Sequence, residues 1–140
     1  MPASQRWTSP VRKLHLIVGL AGVAVFLGTG VYMRTHFPAL YGGNEALRYM
    51  YRANHVYLLL ASLVNVALGV YLSSAESGWR ASLGKAGSVL ALLSPALLCY
   101  AFFAEVPLAS PARIVTALGV FSVALGVAAQ LPSVGRATRS

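Results

Sequence analysis

The chain has 140 residues, of which 57% are hydrophobic and only 10% are charged. A soluble domain carries about 25% charged residues, so this composition excludes a surface that faces water over most of its area. The net charge of +8 comes from 11 Lys and Arg against 3 Asp and Glu. These basic residues flank apolar runs, a pattern typical of membrane topology and not of nucleic-acid binding.

Four apolar runs follow one another, at residues 14–33, 53–72, 86–104 and 112–131. Each has close to the 20 or so residues that a transmembrane helix needs. Their short connections predict antiparallel neighbours. The predicted fold class is therefore all-α: an integral membrane bundle of four transmembrane helices in up-down-up-down order, in one domain over residues 1–140. The run after the polar N-terminus exceeds the 7–15 residues of a signal-peptide core, so we expect a retained flank.

The first run carries small residues near one face, where another helix can approach closely. They are Gly19, Gly22, Thr29 and Gly30, with His15 and Met33 on the same side. Arg34 is expected to end this span. Pro38 is expected to interrupt regular structure in the loop that follows. Asn44 is the expected N-cap of the second helix, with Glu45 in its first turn.

Within the second helix, the stretch from Arg48 to Leu72 has one polar side and one side of Leu, Val and Ala. Polar groups in a membrane span usually face protein, so we expect the neighbouring helices to pack around it. Its polar side holds Arg48, Arg52, His55, Ser62, Asn65 and Gly69. Asn65 is predicted to form a hydrogen bond to another helix.

The third and fourth runs contain fewer polar groups. Pro95 lies within the third and should free one backbone carbonyl, which Ser94 or a neighbouring helix must satisfy. The fourth has small residues at Thr116, Gly119, Ser122 and Gly126. Lone Cys99 excludes an intramolecular disulfide. The N-terminal flank, second loop and tail hold seven Lys and Arg against four in the other two loops. This excess predicts that both termini of a multi-pass membrane protein lie in the cytoplasm.

His55 is the candidate for cofactor chemistry, because an ionisable side chain in a membrane span is a functional hypothesis. It could ligate haem b, with His36 or Met33 as second ligand, or bind a quinone head group. His15 lies at the opposite end of the bilayer and cannot share an iron with it. The alternative is an interfacial histidine bonded to a neighbouring helix. No CxxCH motif is present, which excludes covalent haem.

A second candidate is a polar cluster drawn from Arg34, Glu45, Arg48, Arg52, Asn65 and Glu105. Most of these residues fall at the outer ends of the spans. They could bind an anion or a lipid headgroup, or the carboxylates could simply pair with the arginines at the interface.

Two resemblances are carried by the first half of the chain. Four segments, KLHLIVGL, GTGVYM, YRANHVYLLL and NVALGVYL, resemble segments of uncharacterised four-span proteins of bacterial inner membranes. This resemblance implies the same fold and a location in the bacterial inner membrane. The arginine pattern of Arg48–Ala53 also looks like the second helix of the four-span enzymes of eicosanoid and glutathione metabolism. The glutamate that follows in that family is absent here, where the chain reads Asn54, His55, Val56, Tyr57.

Two functional hypotheses follow. The first is a non-catalytic accessory or assembly subunit, whose partners are the lipid bilayer and other membrane chains or a second copy. It agrees with the small-residue faces and with the absence of a recognisable catalytic set. The second is a haem- or quinone-linked redox protein that uses His55. No acidic residue lies inside a span, which disfavours a proton-coupled pump.

Overall fold

The computed structural model describes residues 10–72, 78–108 and 112–134. Helix α1 covers Pro10–Leu40, α2 covers Glu45–Tyr71 and α3 covers Trp79–Ala104. A 3-10 turn at Val106–Leu108 leads to α4, Ile114–Ala128, and a last turn of helix, α5, covers Leu131–Val134. The protein is therefore all-α, with three long apolar helices and a shorter fourth.

The end of α1 differs from the expectation that Arg34 closes the span. The helix continues through Pro38 to Leu40. Pro38 lies in the last turn, where its missing N–H removes only one backbone hydrogen bond, and Tyr41 N still donates to Phe37 O at 3.0 Å. The arginine is thus held on rigid helix and not on a loop.

The start of α2 agrees with the sequence prediction. Asn44 accepts a hydrogen bond from the backbone N–H of Leu47 at 3.0 Å. A short polar side chain at this position satisfies one of the donors that a helix start leaves unpaired. Glu45 lies in the first turn, as predicted, where its charge complements the helix dipole.

The helices form two tightly packed antiparallel pairs, α1 with α2 and α3 with α4, which meet mainly through α2 and α3. Glycines allow each pair to approach closely. A Cβ at Gly19 would lie 2.7 Å from the backbone nitrogen of Val66. In the second pair, a Cβ at Gly87 would lie 2.7 Å from the carbonyl oxygen of Gly126. The small-residue faces therefore point inward, as predicted, because any side chain there would separate the helices.

Two apolar clusters fill the space between the pairs. Leu58, Ala61, Leu98 and Val123 form one near the middle of the bundle. The other lies towards the α1–α2 turn and consists of Phe37, Leu47, Tyr51, Phe102 and Val106. The rings of Tyr51 and Phe102 meet edge to face at a centroid distance of 5.0 Å, and so join α2 to α3.

Large apolar side chains cover the outside of the helices. Ile17 is 64% exposed and Phe121 is 66% exposed. Three segments, Pro10–Leu40, Glu45–Tyr71 and Trp79–Leu108, are long and apolar enough to cross a membrane. Such a surface suits lipid and not water, so these segments indicate a multi-pass membrane protein. Helix α4 has 15 residues, or about 23 Å of helix at 1.5 Å per residue.

Candidate functional site

A hydrogen-bonded network inside the bundle links three helices through His15 and Asn65. His15 on α1 and Asn65 on α2 are both fully buried, and His15 Nδ1 lies 2.7 Å from Asn65 Oδ1. An amide oxygen only accepts, so His15 donates from Nδ1. Asn65 Nδ2 in turn donates to Ala61 O at 2.9 Å and to Ala91 O at 2.7 Å. The predicted interhelical bond of Asn65 is confirmed.

The bond to Ala91 answers a need that Pro95 creates in α3. A helical N–H donates to the carbonyl four residues earlier, and proline has no N–H. The carbonyl that Pro95 leaves free is that of Ala91, which receives the amide of Asn65. Ser94, the other expected donor, instead donates to Gly119 O on α4 at 2.8 Å. A neighbouring helix therefore satisfies the free carbonyl, and Ser94 joins α3 to α4.

Arg12, near the start of α1, binds the end of α2, at the end of the α1–α2 pair that lies away from the connecting turn. Its side chain is 8% exposed, and Nε donates to Gly69 O at 3.1 Å while Nη2 donates to Val70 O. Both carbonyls belong to the last turn of α2, where the helix has no N–H to offer and the dipole favours a cation. Arg12 therefore has a structural role beyond the topological one that the sequence predicted.

Asn54 is also fully buried, between the two apolar clusters on the inner face of α2. In contrast to Asn65, its Nδ2 and Oδ1 have no hydrogen-bond partner in the described part of the chain. An unpaired buried amide costs free energy. Nothing in the sequence marks Asn54 as a polar core residue except its three-residue spacing from Tyr51, which places both on the same helical face.

His55, the candidate cofactor ligand, is half-buried against α1. Its ring stacks on Phe26 at a centroid distance of 3.9 Å, and Nδ1 lies 2.9 Å from Thr29 Oγ1. The Thr29 hydroxyl donates its proton to Phe26 O, so the oxygen accepts from His55 Nδ1–H. The neutral ring then carries its lone pair on Nε2, which forms no hydrogen bond within residues 10–72, 78–108 and 112–134.

The two partners predicted for His55 lie further along α1. His36 is exposed and stacks on Tyr32 at 4.6 Å, with Nδ1 near the Thr35 hydroxyl. A Cβ at Gly30 would lie 3.4 Å from the His55 ring, so His36 is six residues, or about 9 Å, beyond that level. Within the described ranges, neither His36 nor Met33 forms a hydrogen bond or ring contact with His55. A shared iron site for these residues stays a prediction.

The predicted polar cluster divides into separate places. Arg34, Arg48 and Arg52 line one cavity of about 260 Å³ between the end of α1 and the start of α2, together with Met33, Phe37 and Pro38. We call this the arginine cavity. Glu45 is not among the lining residues; its Oε1 lies 3.7 Å from Arg48 Nη1, and its side chain is 93% exposed. Asn65 lies deep in the bundle, in the His15 network.

Glu105 lies at the turn between α3 and α4 and binds the start of α4. Its Oε1 accepts from Val115 N at 2.8 Å, and its Oε2 accepts from Thr116 N at 2.8 Å and from the Thr116 hydroxyl at 2.6 Å. A carboxylate on the unpaired N–H groups of a helix start is stabilising. Glu105 therefore caps α4 and does not pair with the three arginines of the cavity.

The described residues offer no group of three or more His, Cys, Asp or Glu that could hold a metal ion. Comparison of the sequence with models of known protein families, with curated proteins and with solved structures gives no match.

Proposed function

We propose that the protein is a non-catalytic accessory or assembly subunit, which binds a transmembrane helix of another membrane chain. The observation that supports this proposal is an uncovered strip of small residues on the outer face of α1. Ala21, Ala24 and Gly28 are all exposed, and a Cβ placed on Gly28 would meet nothing within 4 Å. Small residues four apart let a second helix approach closely in the membrane.

The glycines on the inner face of α1 and Gly28 on its outer face differ in what they contact. Gly19 and Gly22 are already occupied by α2, where a Cβ would meet Val66 and Ser62. Among the described residues nothing packs against Gly28 in this way, yet glycine costs about 1 kcal/mol relative to alanine within a helix. Close approach by a helix from outside gives that glycine a purpose.

The polar side chains of the bundle interior support the same proposal. His15, Asn65 and Ser94 bind neighbouring helices and fix the packing. A rigid bundle that presents one small-residue strip suits a subunit that docks against another chain.

Replacement of Gly28 by leucine tests the proposal. Since nothing lies within 4 Å of the added Cβ, G28L should leave the fold intact while it blocks the approach of a second helix. The control is Ala96→Leu, an exposed position on α3 without a small residue four positions away in either direction. Partners that co-purify from mild detergent would be identified by mass spectrometry. Loss of a partner, or of a second copy, in G28L but not A96L supports the proposal, and equal recovery contradicts it.

The membrane arrangement belongs to the same proposal. We propose that α4, with the chain on either side of it, forms a fourth transmembrane helix and that both termini lie in the cytoplasm. The exposed apolar face of α4, with Leu118, Phe121 and Leu125, supports this. Reporter fusions at each terminus test it, because an odd number of spans would place the termini on opposite sides.

A haem- or quinone-linked redox role is the second candidate, because a hydrogen bond orients the His55 ring in the way that metal-binding histidines are oriented. Its Nδ1–H bonds to Thr29, which leaves the Nε2 lone pair free, as in histidines that bind metals. A visible absorption spectrum of the detergent-purified protein separates this role from the first. A Soret band that His55→Ala abolishes would support haem, whereas a colourless preparation would exclude bound haem. Quinone needs a separate binding measurement.

A further inference from the structure

We propose that the arginine cavity binds the phosphate group of an anionic ligand, with a membrane phospholipid as its source. The cavity places the guanidinium-bearing residues Arg34, Arg48 and Arg52 around about 260 Å³. This volume lies just below the 300–1,000 Å³ of drug-sized ligand sites, which suits a headgroup. Guanidinium groups offer paired N–H donors that match phosphate oxygens.

The described residues do not neutralise the positive charge of the arginine cavity. In the described ranges, its one ion pair joins Arg48 to Glu45 at 3.7 Å. The Glu45 side chain is 93% exposed, and pairs of that kind contribute little because water screens them. Arg34 and Arg52 make no ion pair in the described part of the chain. Three cations therefore face one weakly bound carboxylate.

Arg48 provides a second, independent observation. Its Nε is buried and has no hydrogen-bond partner among the residues that the structure describes. A buried donor that is left unpaired costs free energy, and hydrogen bonds of guanidinium to phosphate are among the stronger ones in proteins. Because Nε is closed to solvent as the side chain lies, a phosphate oxygen in the cavity would become its acceptor once the Arg48 side chain turns towards the ligand.

The position of the cavity in the membrane favours a lipid. The apolar run 14–33 has 20 residues, which is about 30 Å of helix and so the thickness of the hydrocarbon core. Arg34 follows at once, at the level of the lipid phosphates. Met33, Phe37 and Pro38 add apolar walls, which suit the glycerol and first acyl carbons of a lipid.

The predicted orientation of the chain in the membrane also supports ligand binding by these arginines. On the topology that the charges predict, the α1–α2 turn lies on the translocated side, where the positive-inside rule disfavours Lys and Arg. Three arginines at this end are therefore not explained by topology. Binding of an anionic ligand would explain the presence of three arginines at this end.

Lipid binding to the purified full chain tests the proposal. Native mass spectrometry would measure binding of phosphatidylglycerol and of phosphatidylcholine to the wild-type protein and to Arg48→Gln and Arg52→Gln. We expect phosphatidylglycerol to be preferred, and each substitution to weaken its Kd about tenfold or more. The control, Arg80→Gln, removes a guanidinium that lies over Trp79 at the start of α3, away from the α1–α2 turn. It should leave the Kd unchanged.

Inorganic phosphate forms the second arm of the experiment. If inorganic phosphate competes with phosphatidylglycerol, and R48Q abolishes binding of both ligands, the cavity recognises the phosphate group, which supports the proposal. The relative affinities for the two ligands then show whether a phospholipid or free phosphate is the source of that group. Arg52 is exposed, so R52Q keeps the test informative if R48Q fails to fold. Circular dichroism would verify folding of each variant. Equal phosphatidylglycerol binding by wild type, R48Q and R52Q, or no binding of either ligand, would overturn the proposal.

Discussion

The side-chain amide of Asn65 donates to the carbonyl oxygen of Ala91 at 2.7 Å, at the point where α3 lacks its own donor. Pro95 removes the N–H that would serve this carbonyl, and α2 supplies a substitute from inside the bundle. In the membrane interior bulk water is not available for that role. The two residues therefore fix the register of α2 against α3, and His15 extends the same bond to α1.

Replacement of Asn65 by leucine should destabilise the protein by about 1–3 kcal/mol, because Ala91 O and His15 Nδ1–H would both lose their buried partners. The free energy of unfolding in mixed micelles, measured by circular dichroism as the fraction of denaturing detergent rises, checks this. Asn65→Asp offers a comparison, since its carboxylate still accepts from His15 but, when ionised, cannot donate to Ala91. An unchanged unfolding transition in N65L would contradict the assigned network.

Replacement of Asn54 by leucine should have the opposite effect and raise the free energy of unfolding. Asn54 is fully buried and both of its amide atoms lack partners in the described chain. Leucine has a similar branched shape and removes the unpaired groups, so N54L should stabilise the protein by about 1–3 kcal/mol in the same unfolding measurement. The pair N54L and N65L forms its own control, because both lie on α2 and both exchange an amide for methyl groups. Destabilisation by N54L would indicate that a bound molecule or water satisfies this amide.

The sequence predicts those features that depend on local pattern. Asn44 was identified as the N-cap because an Asn before an apolar helix is a strong local signal, and the structure confirms it. The inward small-residue face of α1 follows from helical periodicity in the same way. The interhelical bond of Asn65 was predictable in kind, because a polar group in a span needs a partner.

Features that depend on register between helices were not predictable. The sequence shows neither that His15 faces Asn65 nor that Arg12 reaches the carbonyls of Gly69 and Val70. Both contacts depend on where the α1–α2 turn falls, and α1 continues to Leu40 instead of ending at Arg34 as the sequence predicts. The sequence offers Glu105 as one possible partner of the arginines at the outer helix ends, and in the structure it accepts a hydrogen bond from the start of α4.

Substitution of Gly19 by alanine should separate α1 from α2. The added Cβ would lie 2.7 Å from Val66 N and 2.9 Å from Ser62 O, and backbone atoms cannot move aside as a flexible side chain can. We expect a loss of about 1–3 kcal/mol in the free energy of unfolding, the usual range for overpacking. Gly28→Ala is the matched control on the same helix, since nothing lies within 4 Å there. It should be neutral or slightly stabilising, and equal effects of the two variants would contradict the proposed approach of the helices.

Glu105→Gln should weaken the α3–α4 connection, because the neutral amide loses the charge that strengthens three hydrogen bonds to Val115 and Thr116. Loss of a helix cap costs about 0.5–2 kcal/mol, so the midpoint of unfolding in mixed micelles should fall. Hydrogen exchange should rise first at the start of α4, where the freed N–H groups lie. Glu45→Gln is the matched control, since its side chain is 93% exposed and its removal should change stability by less than about 0.5 kcal/mol. If E105Q and E45Q behave alike, Glu105 does not hold α4 as the geometry indicates.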